Sequence, residues 1–239
     1  LTITLHHGCP DEVQAHRVLR HGLRPRPRPA SSCPVTQAFA PLSDRVYFAQ
    51  DRQTAIAYAR IHARRDWGGT PIASDRAVLF EADRQLDDPD LWIDEDDLGE
   101  AVVCALLGLC EHEVPLLETG NRTLTRAIVT QDDLAAGLIA LARRHAPAGL
   151  IAELCAMEIT DPRGDLIARL GKTLVVTPES GALQRRLIAL GANVSLHAPV
   201  QPERAFVLSR TANAGLRPDA DLRMPWPESA QSDVLGLRI

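Results

Sequence analysis

The chain has 239 residues, 45% hydrophobic and 24% charged, with a formal net charge of −5. That is ordinary composition for a globular protein of one large domain or two small ones, and it excludes general nucleic-acid affinity over the whole surface while leaving room for a local basic patch. No apolar run nears the roughly 18 residues of a membrane span, no basic head with an apolar core marks a signal peptide, and five cysteines without regular spacing form no disulfide framework, so a reducing, cytoplasmic setting is expected.

Residues 2–6, "TITLH", alternate β-formers and predict a strand. "DEVQAHRVLRHG" follows as a helix, with Asp11 near its start, Gly22 at its end and Val13, Val18, Leu19 and Leu23 on its apolar side. In "LRPRPRPASSCP" proline alternates with arginine, which forbids helix or central strand and predicts a loop. "VYFA" then predicts a strand, residues 52–64 a helix, and "AVLFEAD" at 77–83 a third strand.

"LDDPDLWIDEDDLGE" reads as an acidic connector. Beyond it the pattern is mainly helical: "EAVVCALLGL", "QDDLAAGLIALARRH" and "AGLIAELCAME". Cys104, Cys110 and His112 lie close together, but the helical period and the lack of a second ligand pair favour a core helix over a metal site. "TLVVT" predicts a strand, "SGALQRRLIALG" a helix, and "NVSLHAPV" and "RAFVLS" two late strands. Gly171-Lys172-Thr173 is not a phosphate loop, because Leu166 stands where the first glycine is required. Strands flanking a helical middle predict an α+β fold. One domain over 1–210 is expected, with 98–186 a mainly helical insertion and 211–239 an extension rich in Pro, Asp and Ser.

Two features suggest chemistry. His7 stands at a strand end beside Gly8, where backbone can approach a ligand. Both tyrosines of the chain, Tyr47 and Tyr58, fall eleven positions apart across the strand-to-helix pattern of "VYFAQDRQTAIAYA". They either line one cleft or belong to an amphipathic core with their hydroxyls at the surface.

Together, "LHHG", "LRHGLRP" and "VYFAQDRQTAIAYA" resemble the NAD-binding half of ADP-ribosyltransferases, on the diphtheria-toxin-like and poly-ADP-ribose-polymerase side. The resemblance covers residues 2–97 and returns faintly over 187–209. It implies a split, mixed β-sheet core and a bacterial NAD-consuming transferase, a source that the near-exclusive use of Arg over Lys also suggests.

Carried over, it implies that His7 holds the adenosine-side ribose of NAD and that the Gly8 backbone pairs with the nicotinamide carboxamide. Tyr58 would stack on the nicotinamide ring and Tyr47 would wall the other side. A flat cationic ring between tyrosine faces is physically apt. Arg24, Arg26 and Arg28 would lie near the pyrophosphate, or meet a nucleic-acid acceptor. Two positions depart from the family: Cys9 replaces a Ser or Thr, and Ala55 replaces a serine that contacts the carboxamide.

The family places a glutamate at the start of a late strand, where it steadies the developing cation. Here that slot falls to Asn193 under one alignment and to Glu203 of "QPE" under another. The expected activity is transfer of ADP-ribose to a protein or nucleic-acid acceptor with loss of nicotinamide. The alternatives are a catalytically weak module that binds NAD or ADP-ribose, and an NAD-dependent RNA 2′-phosphotransferase.

Overall fold

The structure is a computed structural model and describes residues 1–10, 12–25, 42, 44–64, 77–110, 113, 121–158 and 163–208. Strand β1 (Thr2–Cys9) leads to helix α1 (Glu12–His21), strand β2 (Arg45–Phe48), helix α2 (Arg52–Arg64), strand β3 (Ala77–Gln85) and the short β4 (Trp92–Ile93). Six helices follow: α3 (Glu95–Leu107), α4 (Arg122–Val129), α5 (Asp132–His145), α6 (Ala148–Cys155), α7 (Gly164–Val175) and α8 (Gly181–Ala189). Strands β5 (Val194–His197) and β6 (Arg204–Leu208) complete the described order.

The fold is α+β, built on two small sheets in the orders β1-β3-β6 and β2-β5-β4. Every described strand pair is antiparallel, so the sheet is split but not mixed. The two sheets touch through one bridge, His6 with Ala49. Among the described residues no helix is long and apolar enough to cross a membrane.

The helices leave the sheet at β4 and return at β5, and those two strands are hydrogen-bonded neighbours with Ile93 opposite Val194. The helical stretch is therefore an insertion between adjacent strands. It shares its core with the strands: Leu5 and Phe80 of the first sheet, Phe48 and Val194 of the second, and Leu98 and Leu138 of the helices form one buried cluster. A smaller cluster of Ala49, Ala55, Ile56 and Leu79 lies under α2.

Three expectations change. The acidic "connector" contains β4 and the start of α3; Asp94 caps that helix by accepting the Asp96 N–H at 2.9 Å, and acids fill its first turn. "TLVVT" is the end of helix α7 and not a strand, because Leu166, Leu170 and Leu174 bury one helical face that outweighs local β-propensity. Helix α4 had no counterpart in the sequence reading; Asn121 starts it by accepting the Leu124 N–H at 3.1 Å. The expected extension at 211–239 and most of the proline-arginine loop lie outside the described residues.

Candidate active site

Strand alternation decides what "HHG" presents. His6 exchanges both backbone hydrogen bonds with Ala49, at 2.8 and 2.9 Å. In an antiparallel ladder the direction of these groups alternates, so Gly8, two residues on, turns its N–H and C=O toward the same β2 side, past the one bridge. The side chains alternate as well. His6 lies on the α2 face, with Nδ1 3.3 Å from Glu81 Oε1. His7 lies on the other face, where Nδ1–H donates to the Tyr47 carbonyl at 2.8 Å. That bond leaves Nε2 as the acceptor of the neutral ring. Phe48 holds the imidazole edge-on, with ring centroids 5.7 Å apart.

Gly8 also brings α2 down onto β1. A Cβ there would collide with the Ala55 carbonyl oxygen and stand 2.7 Å from the Ala59 Cβ. Ala55 and Ala59 are buried small residues at this crossing. Ala55 thus serves packing, and its side chain is not presented to a ligand. Tyr58, one residue before Ala59, remains 51% exposed. Its hydroxyl is held above its ordinary range by burial and by the carboxylates of Asp94, Asp97, Asp96 and Glu100.

Those acids belong to the beginning of α3, which meets Tyr47. Tyr47 donates its hydroxyl to Glu95 Oε1 at 2.7 Å and accepts the Leu42 N–H at 2.8 Å. Burial and the adjoining Glu95 carboxylate push the Tyr47 phenol far up, so it stays a donor at any ordinary pH. Glu95 is only 3% exposed. Its Oε2 is buried and has no hydrogen-bond partner among the described residues. Burial and the neighbouring Asp97, Glu95 and Asp96 raise Asp94 well above the carboxylate range. Asp96 is pushed up to about 6 by burial and by Glu95, against the pull of Lys172.

Asn193 immediately precedes β5 and anchors this turn. Its N–H and side-chain amide donate to Asp97 at 2.6 and 3.3 Å, and its carbonyl accepts the Asp94 N–H at 2.8 Å. Asn121 adds a donor to Asp97 at 3.1 Å. Burial raises the Asp97 carboxyl, and these amides hold it down. The Asn193 side chain is therefore engaged in structure at the edge of the site.

Glu203 stands elsewhere. It precedes β6, which β3 separates from β1. It accepts the Asp83 N–H at 3.3 Å and lies 3.6 Å from Arg84. Cys9 is 4% exposed and belongs to the main core. Arg24 is exposed and donates to the His21 carbonyl at 3.3 Å. Arg26, Arg28 and His112 lie outside the described residues.

The structure thus joins His7 to Tyr47 and Tyr47 to Glu95 by hydrogen bonds, and Asn193 to Asp97 of the same helix start. It does not bring Glu203, Cys9, Ala55 or Arg24 to that place as ligand-facing groups. Glu95 was not singled out in the sequence; Asp94 ahead of a buried apolar run marks the start of its helix but not its contact with Tyr47. Comparison with protein-family models, with curated proteins and with solved structures finds no match.

Proposed function

We propose that the chain binds NAD at the opening between β1 and β2 and transfers ADP-ribose to a macromolecular acceptor, releasing nicotinamide. The observation that carries this reading is the Tyr47 hydroxyl donated to a buried carboxylate, Glu95, at 2.7 Å, with the His7 ring bonded to the carbonyl of the same tyrosine at 2.8 Å. The outward-turned Gly8 backbone suits a carboxamide, which needs one donor and one acceptor in register.

Tyr58 offers an accessible face to a cationic ring. As the glycosidic bond to that ring breaks, positive charge moves onto the ribose, in the dissociative manner of glycoside chemistry. A carboxylate fixed nearby in a dry site favours that charge more than it favours the ground state. The burial of Glu95, and an Oε2 without a hydrogen-bond partner among the described residues, support this role for it. A second reading, a module that binds NAD without turning it over, draws support from Asn193, whose side chain is spent on Asp97 in the slot where the family carries a glutamate.

Titration calorimetry with NAD, followed by an assay of nicotinamide release, tests the proposal. Binding with release supports the transferase, binding without release supports the module, and no binding overturns both.

A further inference from the structure

Helix α1 has two faces of opposite character. Ala15 is buried, Val18 and Leu19 pack against the main core, and Leu23 is buried just beyond the helix. The other face is cationic. From Gln14 to Arg24 every exposed residue is Arg or His: His16, Arg17, Arg20, His21 and Arg24. They recur at steps of three and four residues, so they form one stripe, with levels about 6 Å apart along the axis.

The helix macrodipole explains part of this stripe. Arg20 and His21 lie in the last turn, where the helix end carries roughly half a negative charge, and Arg24 Nε donates to the His21 carbonyl at 3.3 Å. Arg17 precedes that turn and gains little from it. Among the described residues none of the three arginines is paired with a carboxylate. The chain as a whole is acidic, with a net charge of −5, so this face runs against the general charge of the protein.

We infer that the exposed stripe of α1 docks the phosphate backbone of a nucleic-acid duplex. Arg meets phosphate through paired N–H bonds. A duplex presents a negative charge about every 1.7 Å of its axis, so cations one helical turn apart find partners without any sequence requirement. Other occupants suit the stripe less. A helix that lies on a membrane needs a free apolar side beside its basic one, and the apolar side of α1 is taken up by the core. A protein contact is centred on apolar and aromatic residues, and a single strand is held by aromatic stacking. The stripe exposes no Phe, Tyr or Trp. The surface is independent of the NAD reading and goes beyond it.

Fluorescence anisotropy with a short labelled DNA duplex of mixed sequence, on the full chain at pH 7.5, is the test. Binding should weaken by about fortyfold between about 50 and 200 mM salt, the dependence set by about three phosphate contacts. Replacing Arg17, Arg20 and Arg24 together by Gln should weaken binding at low salt by about tenfold or more and flatten the salt dependence. Arg17→Gln alone should cost severalfold and covers the case in which the triple variant fails to fold. Arg143→Gln, Arg144→Gln and Arg169→Gln together remove the same charge from exposed positions of α5 and α7 and should change affinity much less.

No binding of the duplex at low salt, or equal losses in the two triple variants, overturns the inference. So does binding of a single strand or of anionic vesicles as tight as that of the duplex. Duplex binding in a chain that does not bind NAD leaves this surface standing and the NAD reading fallen. Nicotinamide release without duplex binding does the reverse.

Discussion

Gly171 of α7 lies directly against the main chain of Glu95, so close that a Cβ at 171 would collide with the Glu95 carbonyl oxygen and stand 3.1 Å from the Gly99 nitrogen. Gly99 answers it one turn along, where a Cβ would strike the Ile167 carbonyl. Two glycines thus let α3 and α7 cross nearly backbone to backbone, and this crossing fixes the turn that carries the acids. Ordinarily Gly→Ala inside a helix gains up to about 1 kcal/mol. Here Gly171→Ala should instead cost about 1–3 kcal/mol, the range for forcing extra volume into a packed core. Denaturant unfolding measures it. Gly149→Ala, in α6 with nothing within 4 Å of the added Cβ, should be neutral or slightly stabilising and serves as the control. Equal effects at the two positions would contradict the close crossing.

Tyr58 projects from α2 beside the Gly8 contact and is half exposed, so its truncation should leave the fold intact. Tyr58→Ala should weaken NAD binding by about 1–2 kcal/mol, the value of a partly desolvated cation–π stack. Calorimetry alongside a thermal melt separates the two effects. Unchanged affinity in a folded variant removes Tyr58 from the site.

The strands and α2 were legible because their signals are local: alternation in "TITLH", the Pro-Arg punctuation, and a helical period beginning at Arg52, the residue where α2 begins. The segment 86–100 was not, because dense Asp and Glu resemble a solvated linker. Only the apolar run from Leu98 into Ala105 shows that these acids start a buried helix. "TLVVT" failed for the converse reason: Val175 and Val176 favour strands locally, yet Leu170 and Leu174 commit the segment to a helix packed on α3. At the candidate site, His7, Tyr47 and Tyr58 stand out in the sequence by their spacing. The carboxylate beside Tyr47 does not, since its place depends on a crossing between residues 95 and 171 that no local pattern encodes.

The Asp96 carboxyl, raised from the ordinary carboxylate range to about 6, makes a prediction about pH. A carboxyl raised in the folded state binds its proton more tightly there than in the unfolded chain, so this group stabilises the fold as pH falls from above 6 toward 4. Above that window its charge is a liability. Asp96→Asn should therefore raise the melting temperature at pH 7.5, and the gain should vanish near pH 4. The groups facing it include Glu95 and Asp97, which repel, and Lys172, which attracts. Melting curves across this range check the sign, and a gain that grows toward low pH would reverse the assignment.

On the transferase reading, three residues are candidates for the third position, and their surroundings divide them. Glu203 lies beyond β3 from β1, against Arg84 and the Asp83 N–H. Glu203→Gln should leave nicotinamide release within about twofold of the parent and cost under about 1 kcal/mol of stability, as for an exposed ion pair. Asn193→Ala deletes a 3.3 Å bond to Asp97 and keeps the backbone bond at 2.6 Å. It should loosen the α3 turn and lower activity modestly. Glu95→Gln retains size and an acceptor for the Tyr47 hydroxyl but removes the charge. On the transferase reading it should slow nicotinamide release by on the order of 10²–10³, the cost of losing one preorganised electrostatic partner, while NAD affinity changes much less. A single-turnover assay of the three variants, with binding measured separately, tests the order. Loss of release in Glu203→Gln with normal release in Glu95→Gln would move the catalytic carboxylate to the head of β6. Equal release in all three would leave the binding module as the better account, with Glu95 holding Tyr47 in place and taking no part in bond breaking.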